Sequence, residues 1–114
     1  MLFHKDIRLP KNWRLPNVQV DLDWTRHAYR AAATDRYGVM DPYPVLDLEV
    51  CDTIEVELEG SKVKKLVLRA QWNDDLDAIY VVIPNGRNPW TVKTVWFNMR
   101  NDLHKTLDRS KYVS

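Results

Sequence analysis

The second half of this chain constrains its fold most. Four strand-like runs follow one another there with only short connections between them: "TIEVELE", "KVKKLVLRAQW", "AIYVVIP" and "WTVKTVWF". In the first, Ile54, Val56 and Leu58 alternate with Glu55, Glu57 and Glu59, the period-two signature of a strand with one buried face. In the second, Leu66, Leu68 and Ala70 share a face, and Lys65, Val67, Arg69 and Gln71 take the other. The third is apolar on both faces, as a central strand is. In the fourth, strict alternation groups Thr94 and Trp96 with Val92, and sets Lys93, Val95 and Phe97 opposite. "GS", "NDDLD" and "NGRNP" supply turn chemistry between the runs, so chain order predicts an antiparallel meander.

Upstream, "NVQVDLD" alternates well enough for a short strand carrying Val18, Val20 and Leu22 on one side. "TRHAYRAAATDRYG" then reads as a helix of two to three turns. Thr25 is its N-cap, alanines give it high propensity, and Gly38 can take the left-handed C-terminal position. The stretch "MDPYPVLDLEVCD", with two prolines, reads as a connection. Residues 1–16 read as an irregular arm and residues 17–114 as a single domain. The expected fold class is therefore α+β: an N-terminal helix packed on a four-stranded antiparallel β-meander, a two-layer sandwich.

Composition narrows the classes of function. With 45% hydrophobic residues, five Trp and five Tyr, the chain is globular and not disordered. It holds no apolar run long enough to span a membrane and no signal-peptide pattern, so a cytoplasmic address without membrane association is the expectation. The single cysteine, Cys51, excludes an internal disulfide and a thiolate zinc cluster. Three His without paired spacing give no ligand set, so neither a metal nor another cofactor is expected.

The net charge of +1 hides an uneven distribution. Residues 41–60 hold seven acids and no Lys or Arg, whereas residues 61–72 hold four cations and no acid. Lys65 and Arg69, four apart on one strand, therefore face two outcomes. They pair across the sheet with Glu55 and Glu57, or they clamp an anion such as a phosphate.

The tail "NDLHKTLDRSKYVS" gathers His104, Lys105, Thr106 and Tyr112 just past the last strand, and His27 lies in the first turn of the expected helix. A helix N-terminus disfavours the imidazolium form, which suits a general base. Together these groups suit cleavage of RNA through its own 2′-hydroxyl. That reaction needs a base, an acid and a cation or hydroxyl to steady the phosphorane, and it needs no metal. Trp72, Trp90 or Trp96 could stack an unpaired base.

The order of these motifs resembles a known group. A helix start "WTRHAYRAAATDRYG", a four-strand meander and then "VKTVWFN…DLHKTLDRSKY" is similar to the small phage and toxin-type domains of the barnase–EndoU–colicin–RelE group, over residues 17–114. The resemblance implies a metal-independent endoribonuclease of toxin type, acting on tRNA or ribosome-associated mRNA and neutralised by a cognate inhibitor protein. It implies His104 and His27 as proton carriers, with Thr94 and Tyr112 as phosphate contacts. Lys65, Arg69, Lys105, Thr106 and Trp96 complete the expected RNA-binding set. The group also holds members without activity. The alternative is thus a non-enzymatic interaction module of phage or mobile-element origin, gripping a host or phage protein through its tryptophans and acidic strand.

Overall fold

The computed structural model describes residues 14–86 and 88–101. Six strands and one helix follow in the order β1 (Gln19–Trp24), α1 (Arg26–Ala33), β2 (Val45–Asp47), a 3₁₀ turn (Leu48–Val50), β3 (Cys51–Glu59), β4 (Lys62–Gln71), β5 (Leu76–Ile83) and β6 (Trp90–Met99). All six strands join one curled sheet in the order β2-β1-β6-β5-β4-β3.

This architecture overturns the expected two-layer sandwich of a helix on a four-stranded antiparallel meander. β3 to β6 do pair consecutively and antiparallel. The sheet continues, however, with β1 parallel to β6 through Leu22↔Trp90, Asp23↔Thr91 and Trp24↔Val92. It ends with β2, antiparallel to β1. The segment expected to be a mere connection supplies β2 and buries Met40, Leu46 and Leu48 in the main core. A parallel pairing between residues almost seventy apart is a non-local property, and no local period announces it.

Local chemistry explains the elements themselves. Thr25 caps α1, its hydroxyl accepting from the Ala28 N–H at 3.0 Å. Ala28 and Ala32, one turn apart, are the small residues that let the helix press close to the sheet. The helix stops at Thr34, before Gly38; there the Thr34 N–H reaches the carbonyls of Arg30 and Ala31. Gly60, at φ +64°, turns β3 into β4, a conformation that an L side chain resists.

Two apolar clusters occupy the two faces of the sheet. The larger joins Ala28 and Ala32 to Val56, Leu66, Leu68, Tyr80, Val82, Val92, Val95 and Phe97. The smaller comprises Ile54, Val67, Ile79 and Val81, with Trp96 packed against it. β5 feeds both, as its two-sided apolar sequence predicts. Ladder irregularities correct the strict alternation read from sequence. An extra residue at Ile54 turns that side chain to the smaller cluster, and Glu55 becomes buried. An extra residue at Lys93 puts Val92 on the same face as Val95 and Phe97, with Trp96 on the other.

Two buried acids make stability sensitive to alkali. Burial first, then Asp47 and Asp52, pushes the Cys51 thiol from 9.0 up to about 12. Burial first, then Cys51 and Tyr43, pushes the Tyr80 phenol from 10.0 up to about 12. A raised pKa means the folded chain holds its proton where the unfolded chain has lost it. Stability contributed by these groups is therefore complete below about pH 9 and is lost as pH climbs towards about 12. Thermal melts taken from pH 8 to 11 are expected to show a falling midpoint, and Tyr80→Phe should flatten the upper part of that fall.

Candidate functional site

The described site begins at three interruptions in the β-ladders. Between Glu57↔Lys65 and Leu58↔Val63, β4 carries one residue more than β3, and that residue is Lys64. Between Val81↔Thr94 and Val82↔Val92, β6 carries one more than β5, and that residue is Lys93. The third, at Ile54, serves the smaller core cluster. A bulge leaves its extra residue outside the ladder and re-aims the side chain. Lys64 and Lys93 are both aimed into one hollow of about 190 Å³, which Lys65, Glu57 and Ile83 also line. Three lysine side chains and one glutamate thus line it.

The electrostatics of that hollow favour an anion. Lys65 is bound to Glu57 at 3.0 Å, the cross-strand pair that the charge pattern allowed. Lys64 pairs with Glu59 at 2.9 Å, and this hydrogen bond first, then the charge itself, raises the lysine pKa. Both side chains of that pair are more than half exposed, so a competing anion displaces Glu59 at little cost. Among the described residues Lys93 has no carboxylate partner. A second, larger hollow of about 410 Å³, by Arg14, Leu48 and Cys51, presents Glu49 and Asp52 and so suits an anion poorly.

The helix starts at the edge of β6, level with Lys93, and packs on the face of the sheet opposite to Lys65, Glu57 and Ile83. The Thr25 hydroxyl donates to the Val92 carbonyl at 3.0 Å and lies 3.4 Å from that of Lys93, while its N–H also reaches Val92. At the far end of the helix, an Asp35 carboxylate oxygen accepts from the Phe97 N–H at 3.0 Å. α1 therefore runs alongside β6 from the level of Lys93 to that of Phe97, next to the part of β6 beyond its pairing with β1. Arg26 and His27, both exposed, occupy the first helical turn at the level of Lys93 and Thr94.

The residues singled out from sequence divide accordingly. His27 and Thr94 are brought to the start of the helix–β6 contact. Lys65 lines the hollow. Arg69 is at the opposite end of β4, where its guanidinium binds Asp77 at 2.5 Å and reaches the carbonyls of Met99 and Arg100. That arrangement makes Arg69 a structural cation that ties β4 to β5 and to the end of β6. Trp96 packs against the smaller apolar cluster, half-buried, and Trp90 is buried. His104, Lys105, Thr106 and Tyr112 lie outside the described residues. Among the described residues no group of three metal-ligating side chains forms, and no helix is long and apolar enough to cross a membrane.

Lys64, Lys93 and Arg26 escaped the sequence reading. Two signals could have found the lysines. Adjacent lysines in "VKKL" cannot both obey a period of two, and neither can Val92 and Val95, three residues apart and both apolar. Each breach marks a bulge.

No protein-family model matches the chain, and no curated protein or solved structure matches it either.

Proposed function

We propose that the chain binds RNA and cleaves it without a metal, by attack of the 2′-hydroxyl on the adjacent phosphate. The observation that carries the reading is the lysine-lined bulge hollow, with the first turn of α1 bonded to the β6 backbone at Lys93. Lys64, Lys65 and Lys93 line the hollow, and Thr25 bonds the helix start to the backbone of Val92, beside Lys93. A phosphate held by Lys93 and Lys65 meets the Thr94 hydroxyl on the same face of the sheet, and the His27 imidazole is to reach it around the edge of β6 from the first turn of α1. His27 takes the 2′-proton, the lysines steady the charge that grows on the phosphorane, and a second proton carrier protonates the departing 5′-oxygen. His104, five residues beyond Met99 at the end of β6, is the candidate for that second role.

The test is incubation of the purified protein with total tRNA and with a single-stranded RNA oligonucleotide in excess EDTA. The expected products end in a 2′,3′-cyclic phosphate. Intact RNA at high protein concentration contradicts the nuclease reading and leaves the alternative, a module that binds another macromolecule without chemistry.

A further inference from the structure

We infer that the surface from α1 to the loop before β2 is a stacking platform for unpaired bases, which narrows the substrate to single-stranded RNA. This rests on the RNA-binding reading of the bulge hollow.

Two groups of aromatic rings meet here, joined by a hydrogen bond from the Trp24 indole to the backbone of Tyr43. Tyr29 lies 5.8 Å from Trp24, ring centroid to centroid, and the Trp24 indole N–H donates to the Tyr43 carbonyl at 2.8 Å. Tyr43 in turn lies 5.7 Å from Trp72, which meets Phe97 at 5.2 Å. The inner members are anchored: Trp24 and Phe97 belong to the core, with Trp72 packed against it. The outer two are open, Tyr29 being 51% exposed and Tyr43 50%. A large apolar ring held rigid from behind and bare in front is what a nucleobase stacks on, whatever its identity.

Charge selects the occupant. α1 and the turn after it expose Arg26, Arg30 and Arg36, and Arg36 stands 4.7 Å from the Tyr37 ring centre. Within residues 25–37 the one acid, Asp35, has both carboxylate oxygens engaged by backbone N–H groups, those of Phe97 and Tyr37. Asp41 is the acid next along the chain, close to Tyr43. Exposed rings interleaved with arginines match a phosphate backbone with its bases splayed out. They match an apolar protein surface poorly. Arg26 lies one turn before Tyr29 on the same helix, so a strand stacked on Tyr29 carries its next phosphate towards that guanidinium.

The experiment measures binding of a labelled single-stranded RNA oligonucleotide with 2′-O-methyl sugars, which cannot be cleaved, and of its perfect duplex, in EDTA, by wild type, Tyr29→Ala, Tyr43→Ala, Tyr29→Leu and Tyr43→Phe. Both alanine variants should lose roughly tenfold or more in affinity for the single strand. Tyr43→Phe should retain it. Tyr29→Leu keeps the apolar contact with Trp24 but lacks the ring, so it should lose affinity while its melting temperature stays put. Duplex affinity should be equal across the set. Single-strand affinity unchanged in Tyr29→Ala and Tyr43→Ala overturns the proposal. So does a wild-type protein that ignores the oligonucleotide and sediments as a dimer that Tyr29→Ala disperses. Binding as described, with the unmodified oligonucleotide left intact under the same conditions, counts against cleavage alone, so the two readings fail separately.

Discussion

His27→Ala is expected to lower the rate of RNA cleavage in EDTA by on the order of 10²–10⁴-fold, the usual contribution of one positioned proton carrier. The same change should leave affinity for uncleaved single-stranded RNA within a fewfold of wild type. His27 is exposed in the first turn of α1 and lies outside the buried Ala28–Ala32 contact, so its loss removes little packing. Stability should stay within about 0.5 kcal/mol, as for an ordinary surface substitution. Single-turnover kinetics across pH separates the two effects. A base removed from the reaction flattens the rise of the pH–rate profile, whereas a disturbed helix lowers the rate uniformly. Cleavage at the wild-type rate by His27→Ala would remove the imidazole from the mechanism.

The largest expected effect on stability belongs to Asp77. This carboxylate is buried, with 12% of its side chain exposed, and holds Arg69 on one oxygen and Arg100 on the other. Arg69 is nearly as enclosed, at 13%, and it also reaches the last carbonyls of β6. Asp77→Ala removes the carboxylate that binds this enclosed guanidinium most closely, which costs about 3–5 kcal/mol. Replacing the pair together, as in Arg69→Met with Asp77→Leu, should cost much less, because no charge is stranded. Urea denaturation followed by tryptophan fluorescence measures both. A loss below about 1 kcal/mol in Asp77→Ala would show that water screens the pair.

These two residues also show how much of the molecule the amino-acid order discloses. The strands β3 to β6 follow from alternation and turn residues, and Thr25 with its alanines announces α1, because these are local properties. The partnership of Arg69 was half legible. Its charge demanded an acid, and the acidic strand β3 was the apparent source; Asp77 on β5 also holds it. Asp77 falls in "NDDLD", where a turn was expected and where β5 in fact begins at Leu76. Lys65 did find its glutamate on β3, where cross-strand pairing put it. What stayed hidden depends on distant pairing. β1 adds parallel to β6 across nearly seventy residues, and this contact is what sets the start of α1 at Lys93. The site is still less legible than the fold, since Lys64 and Lys93 enter the hollow through ladder bulges, which alternation treats as errors. A bulge becomes visible in sequence only where a period-two pattern slips by one.

The bulges carry the central claim, namely that the sheet hollow and the helix start, on either side of the β6 edge at Lys93, serve one phosphate strand. Amide-resolved NMR of the labelled protein tests it most directly. The titrant is a single-stranded RNA oligonucleotide with 2′-O-methyl sugars, which has no free 2′-hydroxyl and so cannot be cleaved. The account predicts that His27, Lys64, Lys65, Lys93 and Thr94 shift together along a single binding curve, and that added salt weakens that curve steeply. Shifts confined to the opposite end of the sheet around Arg69 and Asp77, or confined to α1 with Lys64 and Lys93 silent, would contradict it.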